Sequence, residues 1–146
     1  MSVPRITLND GNQIPVLAFG TGSKFKFEFV GKAIRESGLG REDVWITTKY
    51  DGGVVLEEVH SSLQKGLWEE MNKVKDAGLP TLLTSGRSIG VSNFTLDLLQ
   101  RIVKTGKRVP AVNQIRLHPY NYASWKDVLE FSAKHGIVTE AYGSLA

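Results

Sequence analysis

Short runs of β-branched and aromatic residues recur along this chain, and between them the apolar residues repeat at three- and four-residue spacing. That alternation is the strongest constraint on what the chain can fold into. Val16-Leu17-Ala18-Phe19, Val44-Trp45-Ile46-Thr47-Thr48, Ile89-Gly90-Val91, Val109 to Leu117 and Ile137 to Tyr142 are suited to strands. Leu56, Val59 and Leu63 fall on one helical face, as do Leu67, Met71 and Val74, and Leu99, Ile102 and Val103 form a third stripe. Gly38, Gly78, Gly106 and Gly136 each follow a helical run with basic residues near its end, the usual way such a run stops. Strands alternating with helices predict parallel βα units, which collect functional residues at the carboxyl ends of their strands.

The opening departs from this rhythm. Ile6-Thr7-Leu8 and Gln13-Ile14-Pro15 flank Asn9-Asp10-Gly11-Asn12, which predicts a short hairpin because Asp-Gly tolerates the positive φ of such turns. Lys24 to Phe29 alternates aromatic and charged residues like a strand, then runs straight into a short helix from Gly31 to Ser37. Pro80 to Ser88 is a polar, Leu-rich stretch without a period. Ser124 with Asp127 has the spacing of a helix start just before Trp125.

With 146 residues, the chain suits a single domain, residues 1–146, able to bury a core. Its 18 Lys and Arg against 15 Asp and Glu are scattered, which argues against nucleic acid as a partner. The absence of cysteine excludes disulfides and thiolate metal sites, and no run approaches the length of a membrane span or a signal peptide, so a cytoplasmic protein is expected. There is no phosphate-binding Walker loop, and Gly20-x-Gly22 has Phe25 where a Rossmann turn needs glycine. What stands at strand ends is polar: Lys49, Ser92, Asn93, Gln114 and Tyr142. Singly, each has an ordinary explanation. Lys49 suits a solvated terminus, Ser92 and Asn93 a helix cap, and Tyr142 a core position.

Jointly and in order they resemble something specific. Gly90-Val91-Ser92-Asn93-Phe94, then Val112-Asn113-Gln114, then Glu140-Ala141-Tyr142-Gly143-Ser144-Leu145 are similar to the signature blocks of the aldo-keto reductases, in texture the fungal NADP-dependent branch. Asp43 to Lys49 resembles that family's third barrel strand with its catalytic lysine, and the opening through Gly20-Thr21-Gly22 resembles its first strand and floor hairpin. The resemblance implies a (β/α)8 TIM barrel that is incomplete here, with about five of eight parallel strands following an N-terminal β-hairpin. It implies NADP(H) as cofactor, with Ser92, Asn93 and Gln114 on the nicotinamide carboxamide, Tyr142 stacked on the ring, Gly20 and Thr21 approaching by backbone, and Leu145 along the pyrophosphate. Where the family usually has Tyr-Ser-Pro-Leu, this chain has Tyr142-Gly143-Ser144-Leu145.

The family reduces small-molecule carbonyl compounds through a tyrosine, a lysine, an aspartate and a histidine. Only Lys49 has a counterpart. The tyrosine and aspartate belong with a second strand expected between Lys26 and Gly31, and the histidine with a fourth strand expected between Lys65 and Gly66, where one helix passes directly to the next. His118 belongs to a different strand and does not take that role. The chain ends at Ala146, ahead of the eighth strand and the basic segment that grips the 2′-phosphate. An inactive chain that binds its cofactor weakly is therefore expected. The alternative is a non-catalytic remnant or aberrant gene product that acts as a weak nucleotide-binding or interaction module, self-associating through open strand edges.

Overall fold

The computed structural model describes residues 3–20, 27–40, 43–47, 49, 57–77 and 88–145. It divides into two compact units, Met1–Thr7 with Gln13–Lys49, and Leu8–Asn12 with Tyr50–Ala146. In the first, β1 (Arg5–Thr7) and β2 (Gln13–Pro15) pair antiparallel with Ile6 opposite Ile14, as the turn residues predict. Helix α1 (Phe27–Ser37) follows and ends at Gly38, whose φ of +71° is costly for any side chain with a Cβ.

Three expectations fail in this unit. Phe27 to Phe29 opens α1 and is not a strand, because Phe27, Val30 and Ile34 continue a helical spacing that outweighs three alternating residues. Val16 to Phe19 and Val44 to Thr47 form no strand, and Leu17, Phe19 and Ile46 are 79%, 93% and 46% exposed. A parallel strand is defined by its ladder and normally buries both faces. An apolar run supplies the propensity but not the ladder: the Val16 amide donates to the Pro4 carbonyl at 2.9 Å, but neither run is a strand of the sheets among the described residues.

The second unit is built on β3 (Val91–Ser92), β4 (Val112–Arg116) and β5 (Val138–Tyr142), a parallel sheet in that order. Helix α3 (Leu96–Thr105) carries the chain from β3 to β4, and α4 (Tyr122–Lys134) carries it from β4 to β5. The expectation of a hairpin followed by parallel βα units short of a closed barrel thus holds, but with three parallel strands among the described residues in place of five. Leu98, Leu99 and Ile102 of α3 pack with Ile89, Phe94, Val128 and Ile137, each such buried side chain contributing roughly 1.5–3 kcal/mol. Helix α2 (Glu57–Asp76) adds Trp68 to the same core. It runs unbroken through Gly66, where the sequence suggests two helices; an interior glycine costs about 1 kcal/mol relative to alanine, which one residue in so long a helix can absorb.

Helix α4 starts at Tyr122, ahead of the Ser124 signal, because the chain is already turning. Pro119–Asn121 is a 3-10 turn in which Asn121 Oδ1 accepts from the His118 amide at 2.9 Å and Nδ2 donates to the Arg116 carbonyl at 3.0 Å. At its other end Gly136 takes φ +67° and turns the chain into β5, as its position in the sequence predicts. Pro80 to Arg87 and the junction at Lys24 to Lys26 lie outside the described residues.

Two polar devices tie the unit together. The Asn113 side chain, fully buried on β4, accepts from the Phe94 amide at 3.3 Å and donates to the Phe94 carbonyl at 3.1 Å. Asp76 at the end of α2 accepts from Lys107 at 2.6 Å and from Arg108 at 2.5 Å. The hydrogen bond from Lys107, then that from Arg108, holds the Asp76 carboxyl below the ordinary carboxylate range.

Replacing Asn113 by the similarly sized leucine strands both Phe94 backbone groups in the core, and should cost about 2–4 kcal/mol. Urea titration is the measure; a loss below about 0.5 kcal/mol, the size of an ordinary surface change, would show that the amide pins nothing. For Asp76, a folded-state pKa lowered by its partners means the contribution is complete above the ordinary carboxylate pKa and is lost as pH falls through the folded value. Asp76→Asn should therefore melt below the parent chain at neutral pH, and the gap should close as pH falls below about 4 and narrow in high salt. A gap that widened in acid would contradict the assignment.

Candidate active site

The register of the parallel sheet aligns Ser92, Gln114 and Glu140 in one row across β3, β4 and β5. Residues directly paired on parallel strands project to the same face, so three polar side chains share it at the carboxyl end of the sheet. Asn113 and Ile115, one step out of phase, are buried on the opposite face. The alternation is what separates the polar row from the core.

Within the row the contacts are direct. Ser92 Oγ donates to the Gln114 carbonyl at 3.1 Å, and Gln114 Nε2 donates to Glu140 Oε1 at 2.7 Å. The same Gln114 carbonyl accepts from the Asn93 amide at 2.8 Å, extending the β3–β4 ladder one residue past the strand. Asn93 then takes φ +56°, a left-handed conformation that asparagine tolerates better than most residues with a Cβ. This turn carries its side chain to the end of β5, where the Tyr142 hydroxyl donates to Asn93 Oδ1 at 3.2 Å. Helix α3 begins two residues after Phe94, at Leu96 with Thr95 in the cap position, so Ser92 and Asn93 cap nothing and their side chains are committed to the sheet end.

Ser92, Asn93, Gln114 and Tyr142, all expected from sequence, thus converge. The other expected residues do not join them within the second unit. Lys49 is exposed and belongs with Gly20 to the first unit; Thr21 lies outside the described residues; Leu145 is fully exposed beyond the end of β5. Two residues that matter were missed. Asn113 stands inside a quoted block, and strict alternation against Gln114 would have placed this polar residue in the core. Glu140 opens the last of the similar blocks, but only the pairing of β4 with β5 brings it to Gln114. No group of three or more His, Asp or Glu side chains able to hold a metal ion occurs among the described residues.

The end of the parallel sheet thus brings together two amides, a hydroxyl and an aromatic ring. Residues 64–146 match the model of the aldo/keto reductase family. An aldo-keto reductase of Mycobacterium sp. (strain MCS) is 31% identical over 197 residues, covering 98% of this chain and 66% of the relative. One from Mycolicibacterium smegmatis is 34% identical over 191 residues, covering 97% and 68%. The chain therefore spans about two thirds of the length of these relatives. Among solved structures, an aldo/keto reductase from Brucella melitensis superposes with a TM-score of 0.79 at 27% identity, covering 97% of this chain and 73% of that one. An aldo-keto reductase complexed with NADPH shares the fold at a TM-score of 0.69 and 22% identity, covering 97% and 63%. On the family match, and on relatives above 30% identity across nearly its whole length, this chain belongs to the aldo/keto reductase family.

Proposed function

We propose that the sheet end at Ser92, Asn93, Gln114 and Tyr142 holds the nicotinamide of NADP(H), and that the chain binds this cofactor weakly without itself reducing carbonyl compounds. The observation that carries the first part is hydrogen-bond polarity. Ser92 gives its proton to a backbone carbonyl and keeps lone pairs; Gln114 turns its NH2 to Glu140 and keeps Oε1; Asn93 gives Oδ1 to Tyr142 and keeps its NH2. The Ser92 oxygen and Gln114 Oε1 remain as acceptors and the Asn93 NH2 as a donor, beside the second N–H of Gln114, and a carboxamide presents two N–H groups and one carbonyl. When bound, the nicotinamide supplies the hydride chemistry of the family. The residues of this chain hold and orient its amide, and the exposed ring of Tyr142 offers an apolar wall for the pyridine. Weak binding fits a site whose Tyr142 and Leu145 are both open to solvent.

Lack of turnover rests on the acid. The four tyrosines are Tyr50, Tyr120, Tyr122 and Tyr142, none in the Lys26 to Gly31 stretch where the family's proton donor belongs, and Phe27 to Val30 is occupied by α1. The alignments with the mycobacterial relatives extend over 197 and 191 residues against 146 here, so they carry gaps on the side of this chain, as lost internal segments would require. Loss of a general acid alone typically costs ~10²–10⁴-fold. A second reading, self-association, is favoured by β3 and β5, each of which pairs on one side only among the described residues.

Purified protein mixed with NADPH and a panel of aldehydes and ketones should oxidise NADPH no faster than Lys49→Met does; turnover at the level of an intact reductase, abolished by that substitution, would overturn the catalytic part. Binding is a separate measurement. Quenching of tryptophan fluorescence by NADPH should weaken about tenfold in Gln114→Leu, the loss of one hydrogen bond to the ligand, and an unchanged affinity would remove the carboxamide from this place. Light scattering should find assemblies larger than one chain, and a strictly monomeric protein would dispose of edge pairing.

A further inference from the structure

We propose that Glu140 is a positioning residue that fixes which end of the Gln114 amide faces the ligand, and so makes the site selective for a carboxamide over an isosteric ketone on the pyridine ring. The proposal rests on the carboxamide reading above and deepens it.

A primary amide has two nearly isosteric ends of opposite polarity, and on an unpartnered glutamine either end can face outward. Gln114 is not unpartnered. The β4–β5 register sets Glu140 directly beside it, and Oε1 of that carboxylate lies 2.7 Å from Gln114 Nε2. A carboxylate accepts hydrogen bonds and donates none, so it selects the NH2 end, and bonds to a charged acceptor are about twice as strong as neutral ones. Gln114 Oε1 is left as an acceptor. On the other side of the row the Ser92 hydroxyl hydrogen is committed to the Gln114 carbonyl, so serine cannot supply the donor that glutamine withholds. Asn93, held through Oδ1 by Tyr142, keeps both N–H donors of its NH2. A carboxamide satisfies this pattern. An acetyl group satisfies only Asn93 and sets a methyl against Gln114 Oε1, and a site built to bond an N–H rejects the analogue that lacks it.

The test uses the full chain and three probes: NADP+, its 3-acetylpyridine analogue, and 2′-phospho-ADP-ribose, which has no pyridine. The parent chain should bind NADP+ about tenfold more tightly than the acetylpyridine analogue, the equivalent of one hydrogen bond. In Glu140→Gln the partner amide can accept or donate, Gln114 is free to turn, and the ratio should fall to about twofold or less, with binding of 2′-phospho-ADP-ribose unchanged. Glu140→Asp, which keeps an acceptor-only group, should restore most of the ratio. Glu140→Thr, which suits a strand and withdraws the carboxylate, should lose it as Glu140→Gln does, and serves where that variant folds poorly. Parent-like discrimination in both Glu140→Gln and Glu140→Thr, with discrimination lost in Gln114→Leu, would overturn the role of Glu140 and leave the carboxamide reading standing. Equal loss of affinity for all three probes would make Glu140 a structural residue and overturn the proposal. A parent chain that binds NADP+ and the acetylpyridine analogue alike would sink the carboxamide reading and this inference with it.

Discussion

The buried amide of Asn113 grips both backbone groups of Phe94, and the geometry of the sheet end follows from that hold. A polar side chain with no access to water must find partners or forfeit its hydration, and here it finds them in Phe94, in the three-residue turn between the end of β3 and the start of α3. Beside Phe94, Asn93 takes the left-handed conformation, and its side chain reaches the end of β5.

The functional row shows how a parallel sheet converts register into chemistry. Ser92, Gln114 and Glu140 come from three strands far apart in sequence, and each contributes because pairing puts them side by side on one face. Their hydrogen bonds to one another do more than hold the strands. Each bond commits one polar group of a side chain to a partner, so the polar groups that remain are set by the strand register. Catalytic power in this family needs more than such a pattern. The proposed lack of turnover rests elsewhere, on the stretch from Phe27 to Val30, which α1 occupies.

Much of the second unit was legible in the sequence. The β-branched runs at Val112 to Arg116 and Val138 to Tyr142, the apolar stripe of α3 and the stop at Gly136 all became what local pattern predicts. So did the hairpin turn at Gly11, which takes φ +83°. The first unit was less legible for a physical reason. Val16 to Phe19 and Val44 to Thr47 have strand propensity, but a strand exists only with a neighbour, and the neighbour is a property of the whole chain.

The sequence by itself determined the local and chemical half of this protein: which segments favour helix or strand, where glycine must turn the chain, and which polar residues stand at strand ends in the order shared with aldo/keto reductases. Only the tertiary structure decided which strands pair and in what register, that α2 passes through Gly66 without a break, that Asn93 turns left-handed, and that Glu140 stands against Gln114. The division has one cause. Propensity and periodicity are set by residues a few positions apart, whereas pairing, burial and the polarity of a hydrogen-bonded row depend on groups brought together from distant parts of the chain.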